Sequence, residues 1–124
     1  MSRRRVVVTG LGLVTPIGIG VNETWSSALS GKSGITKITK FDASSFASQI
    51  AGEVKNFNPT EFLPPKEVRR IDTFIQYGLV AGVEAFKDSG IEVNETNAER
   101  IGVAIGSGIG GLGMIEATND IYDN

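Results

Sequence analysis

No cysteine and no histidine occur among the 124 residues, and the two absences remove more chemistry than any motif in the chain supplies. Without cysteine there is no disulfide and no thiolate nucleophile. Without histidine the usual zinc sites and the Ser-His and Cys-His pairs cannot be assembled from these residues. No catalytic residue and no metal site is therefore assigned. Long hydrophobic runs are missing too, since no window approaches the roughly 18 consecutive apolar residues of a membrane span. The three valines between Arg5 and Thr9 are too few for a signal peptide. The expectation is a cytoplasmic protein with no membrane contact. Charge of one sign is also scarce: the formal net charge of −2 gives no global reason to bind nucleic acid. Arg3, Arg4 and Arg5 are read as the solvated entrance to a strand.

What is present fits one soluble globular domain, with 40% apolar residues and a mean hydropathy near zero. Arg5 to Thr9 is a short β-branched run closed by Gly10 and Gly12, as in a strand buried on both faces of a parallel sheet. Asn22 is a suitable N-cap for a short helix with Trp25 and Leu29 on one face, ended by Gly31 in a left-handed conformation. Ile50, Gly52 and Val54 alternate within Ser48 to Val54, which predicts a second strand. After Pro64-Pro65, apolar residues at spacings of three and four predict one helix over Lys66 to Ser89, stopped by Gly90. Gly78, Ala81, Gly82 and Ala85 form a small-residue stripe on it, which predicts close packing against another backbone. Arg100 to Gly106 reads as a third strand, leading into a further possible helix. Strand, helix, strand, helix, strand is the order of parallel βαβ units with right-handed crossovers, an α/β fold.

Gly106-Ser107-Gly108-Ile109-Gly110-Gly111 matches G-x-G-x-x-G, in which glycines let backbone N–H groups approach a pyrophosphate at a helix N-terminus. Its context argues against a nucleotide, because the fingerprint belongs at the first strand with an acidic residue about 20 positions on. Asp120 and Asp123 come too early. The first strand carries Gly10-x-Gly12 with Thr15 where the third glycine belongs, so a structural turn is the preferred reading of both, with a nucleotide-binding oxidoreductase domain as the alternative. Lys66, Arg69 and Arg70 stand in the first turns of the expected long helix, where the macrodipole disfavours cations. Two readings stay open there: a solvated surface eased by Glu67, or a docking patch for an acidic partner, with all three cations on one face.

The segments RRRVVVTGLGLVTPIG, FIQYGLVAGVEAFKDSGI and RIGVAIGSGIGGL closely resemble the N-terminal part of the β-ketoacyl-acyl carrier protein synthase II family, the elongating condensing enzymes of bacterial fatty acid biosynthesis. The resemblance runs over essentially all of residues 1–124, which read as an incomplete front part of the first half of a thiolase-like fold, inactive alone. It implies αβαβα layers, a parallel sheet, a homodimer, and acyltransferase chemistry that joins an acyl-enzyme thioester to malonyl-acyl carrier protein. It implies no cofactor, the substrate being carried on the phosphopantetheine of acyl carrier protein. It further implies that Ile109 lines the acyl pocket and that Lys66, Arg69 and Arg70 receive the acidic carrier protein. The family's catalytic cysteine, at a helix N-terminus that favours thiolate, and its two histidines have no counterpart here. A non-catalytic chain-length partner of a polyketide synthase is a further alternative.

Overall fold

The computed structural model describes residues 3–122. Its first regular element is a tight hairpin over Val14-Thr15-Pro16-Ile17-Gly18-Ile19. Strands β1 (Val14–Thr15) and β2 (Gly18–Ile19) pair antiparallel, with Val14 opposite Ile19 and Thr15 opposite Gly18. Pro16 supplies the fixed φ that a turn requires. The Thr15 hydroxyl donates to the Gly18 carbonyl at 3.0 Å and accepts the Ile17 N–H at 3.3 Å. Helix α1 (Val21–Leu29) follows at once. Its N-cap is Gly20 rather than the expected Asn22, because a φ of +87° turns the chain two residues earlier. The Glu23 carboxylate reaches back to accept the Ile19 N–H at 2.8 Å, one residue before the cap. Gly31 ends the helix with a φ of +70°, as the spacing predicts. The helix buries Thr24 and Ser27, and leaves Trp25 and Leu29 exposed.

Strands β3 (Ile35–Lys37) and β4 (Ile50–Gly52) form a second antiparallel pair, with Ile35 opposite Gly52 and Lys37 opposite Ile50. Helices α2 (Pro65–Val68), α3 (Thr73–Asp88) and α4 (Leu112–Tyr122) complete the order. The single helix expected over Lys66 to Ser89 is thus two helices. Asp72 takes an extended ψ of 158° and caps α3 by accepting the Thr73 N–H at 2.6 Å. Gln76, buried one turn into α3, donates its amide to the carbonyls of Val68 at 3.1 Å and Ile71 at 3.0 Å. Those carbonyls would otherwise end α2 and the turn after it without partners. Val68, Ile71 and Phe74 keep helical spacing across the break, so apolar periodicity alone does not reveal it.

Helix α3 organises the rest through its small residues. A Cβ at Gly10 would overlap the Ala85 carbonyl and stand 2.6 Å from the Ser89 nitrogen. One at Gly12 would overlap the Ala81 carbonyl and stand 2.7 Å from the Ala85 nitrogen. The loop therefore lies flush on the helix backbone, which only glycine permits. Carboxylates of the same helix fasten it. Asp88 accepts the Leu11 N–H at 2.8 Å, and Glu84 accepts the N–H groups of Leu13 at 2.9 Å and Val21 at 2.8 Å. On another side the Ile105 side chain rests over Gly78 and Gly82. The small-residue stripe thus receives a backbone and a side chain.

No parallel sheet forms among the described residues: both sheets are two-stranded and antiparallel. Of the three expected strands, only the centre of Ser48 to Val54 pairs, and its partner is residues 35–37. Val6, Val7 and Val8 are 89, 68 and 79% exposed and Val103 is 86% exposed, in segments with no ladder. A β-branched run reports fitness for a pleated, covered surface; it does not supply the neighbouring strand. Ala43 and Val80 are the buried apolar residues of the described chain.

Candidate functional site

The site is assembled at the N-terminal end of α3. Pro64 leads in with a ψ of 137°, Pro65 opens α2, and the backbone stays helical through Arg69 at the C-cap. The Arg70 N–H closes the turn on the Glu67 carbonyl at 2.8 Å. Lys66, Arg69 and Arg70 therefore share one exposed turn, and none of their side chains has a hydrogen-bond or ion-pair partner among the described residues. Their expected conflict with the dipole of a long helix is corrected by the break. Arg69 and Arg70 stand at the C-terminal end of a separate short helix, where cations are favourable.

The glycine-rich loop faces the same end of α3. Gly110 and Gly111 have φ values of +62° and +58°, two consecutive left-handed residues that L side chains rarely adopt. The turn lies against Phe74: a Cβ at Gly110 would stand 2.9 Å from two ring carbons and 3.0 Å from the Ser107 hydroxyl. A Cβ at Gly111 would be 3.7 Å from both the Phe74 ring and Asp72 Oδ2. Ile109, just before this pair, is 78% exposed. The segment before the loop forms no strand, and Gly106 and Gly108 face open space. At Gly10 and Gly12, α3 occupies the room a pyrophosphate would need. The glycines thus act as turn formers and contact residues.

Between the loop and α3 lies an open, largely apolar groove of about 560 Å³, whose lining includes Leu13, Val14, Phe74, Tyr77, Ile105 and Ser107. Tyr77 meets Phe57 edge-on at 4.9 Å, and burial pushes its phenol pKa above the usual tyrosine value.

Asp72 and Phe74 connect the two parts anticipated from the sequence. They follow the basic turn directly in the chain; the Phe74 ring lies against the loop that carries Ile109, and Asp72 faces it at Gly111. Sequence reasoning missed both, and Gln76 with them. One signal was available, because Asp72-Thr73 is a suitable helix start within the periodic run. Among the described residues no cluster of acidic side chains is suited to hold a metal ion, and no helix is long and apolar enough to cross a membrane.

The family model "Beta-ketoacyl synthase, N-terminal domain" matches residues 3–123. A 3-oxoacyl-[acyl-carrier-protein] synthase 2 of Vibrio harveyi is 55% identical over 117 residues, which is 94% of this chain and 28% of that protein. One of Coxiella burnetii is 53% identical over 120 residues, 97% of this chain and 29% of that protein. One of Staphylococcus aureus strain COL is 50% identical over 115 residues, 93% of this chain and 28% of that protein. The solved structure described as "The ishigamide ketosynthase/chain length factor" aligns with a TM-score of 0.61 and 35% identity, over 73% of this chain and 23% of that one. The chain thus spans less than a third of the length of these relatives.

Proposed function

This chain belongs to the β-ketoacyl synthase family, with its thiolase-like fold, and from that premise we propose that the protein carrying it elongates acyl chains in fatty acid biosynthesis. An acyl group held as an enzyme thioester meets malonyl-acyl carrier protein. Loss of CO2 leaves an enolate that attacks the acyl carbon, the new C–C bond forms, the enzyme thiolate departs, and 3-oxoacyl-acyl carrier protein results. Residues 1–124 contain neither cysteine nor histidine, so the nucleophile and its partners are not among them. The role of this chain is reception and selection. Lys66, Arg69 and Arg70 attract the acidic carrier protein, and Ile109 limits the acyl chain that the phosphopantetheine delivers. No further cofactor is invoked.

The observation that carries this reading is identity of 50 to 55% with three 3-oxoacyl-[acyl-carrier-protein] synthases 2 over nearly the whole chain. The unpartnered cations beside the Ile109 loop support the division of roles. The reading carries with it a cytoplasmic homodimer. It also carries a parallel sheet in the complete protein, to which the uncovered runs at Val6 to Val8 and at Val103 and Ile105 would contribute. The test is to incubate the complete protein with acyl- and malonyl-acyl carrier protein and weigh the products. An acyl chain longer by two carbons, in the 3-oxo form and matched by CO2, is expected. The similarity to a ketosynthase/chain length factor structure is compatible with a second reading, a non-catalytic chain-length partner, and absence of product would select it over the first.

A further inference from the structure

We propose that Phe74 is a specificity-determining residue that works by position: it fixes the Gly110-Gly111 turn, and through that turn it sets where Ile109 stands. The inference rests on the reading of Ile109 as the acyl-length limit. Three observations carry it. The Phe74 ring lies so close to Gly110 that a single Cβ there would come within 2.9 Å of two ring carbons. Gly110 and Gly111 hold successive left-handed φ values, which glycine adopts freely, so the backbone does not by itself fix the turn and an external contact must. Phe74 is itself anchored, because it sits in the first turn of α3 immediately after the Asp72 cap. Asp72 uses Oδ1 for the Thr73 N–H, and its Oδ2 is shielded from solvent and unpartnered, on the side facing Gly111. The turn therefore rests on a fixed helix end. Ile109 is 78% exposed and has no comparable support of its own.

Phe74→Ala removes the stop against which the turn rests, so the turn settles towards α3 and draws Ile109 with it. Gly110→Ala has the opposite effect, since its methyl group meets the ring and pushes the turn away. The experiment is the ratio of kcat/KM for long over short acyl primers, measured on the complete protein. Phe74→Ala should raise that ratio on the order of tenfold, as about one methylene of fit is worth in an apolar pocket. Gly110→Ala should lower it, and because that methyl acts by meeting the ring, Gly110→Ala with Phe74→Ala should match Phe74→Ala alone. If Phe74→Ala does not fold, Phe74→Leu should give a smaller rise in the same sense. An unchanged or lowered ratio in the Phe74 variants, or a double variant equal to the product of the singles, overturns the proposal. Ile109→Phe serves as the control. If it changes the ratio while the Phe74 and Gly110 variants do not, this inference alone fails; if it changes nothing, the pocket reading fails and this inference with it.

Discussion

Glu84 holds two backbone N–H groups, of Leu13 and Val21, which lie 71 and 63 residues upstream. Hydrogen bonds to a charged acceptor contribute about 1.5–3 kcal/mol each, and Glu84→Gln replaces one carboxylate oxygen with an amide that cannot accept. Loss of about that amount is expected in the complete protein, read by urea unfolding; unchanged stability would show that the loop is held by other contacts. At Ile109 the consequence of the proposed role is selectivity rather than stability. Ile109→Phe adds bulk at the proposed acyl limit, and overpacking a closed apolar site costs about 1–3 kcal/mol. Primer-length kinetics should show long acyl chains disfavoured and short ones nearly unaffected. Equal losses at all lengths would remove Ile109 from the pocket. The sequence made these residues unequally legible. Ile109 entered through the family resemblance, whereas Glu84 looked like any polar residue of a helix, because its donors come from a loop whose path no local pattern encodes.

At the scale of elements, the stripe of small residues on α3 was the most informative local pattern. Gly78, Ala81, Gly82 and Ala85 predicted a close approach, and Gly10, Gly12 and Ile105 make it. Gly12→Ala should therefore be costly, since its methyl meets the carbonyl of Ala81 in a helix that cannot yield locally. A loss of about 1–3 kcal/mol is expected, seen as a lower Tm of the complete protein. Gly113→Ala, where the added carbon meets nothing within 4 Å, is the control, and equal effects at both positions would contradict the packing. Other elements were less legible. The break at Asp72 hid inside an apolar period that continues across it, and it depends on Gln76 reaching back to Val68 and Ile71. The hairpin of β1 and β2 is only two residues per strand, too short for alternation to register. For Val6 to Val8 and Val103 to Ile105 the pattern described a strand's side chains, but pairing requires partners that the described residues do not offer.

At the scale of the whole molecule, the accessible surface is 10278 Å². A compact monomer of 13.1 kDa would expose about 6,400 Å². The exposed large apolar residues include Val6, Val8, Val103, Ile109, Ile115 and Ile121. Apolar area of this kind is removed from water when any complementary surface is offered. The 124-residue polypeptide prepared by itself should therefore self-associate. Light scattering should report a mass well above 13.1 kDa, and a monomer with native near-ultraviolet dichroism would contradict the exposure described.

Reception of an acidic carrier protein at Lys66, Arg69 and Arg70, beside the loop that carries Ile109, is the central claim. Complementary surface charge acts mainly on the rate of encounter and is screened by salt. The most direct measurement is stopped-flow association of acyl carrier protein with the complete protein across ionic strength, for the parent and for Arg69→Glu with Arg70→Glu. The account predicts fast association that slows steeply with salt in the parent, and slow, nearly salt-independent association in the variant. Equal association rates with equal salt dependence in the two proteins would contradict it.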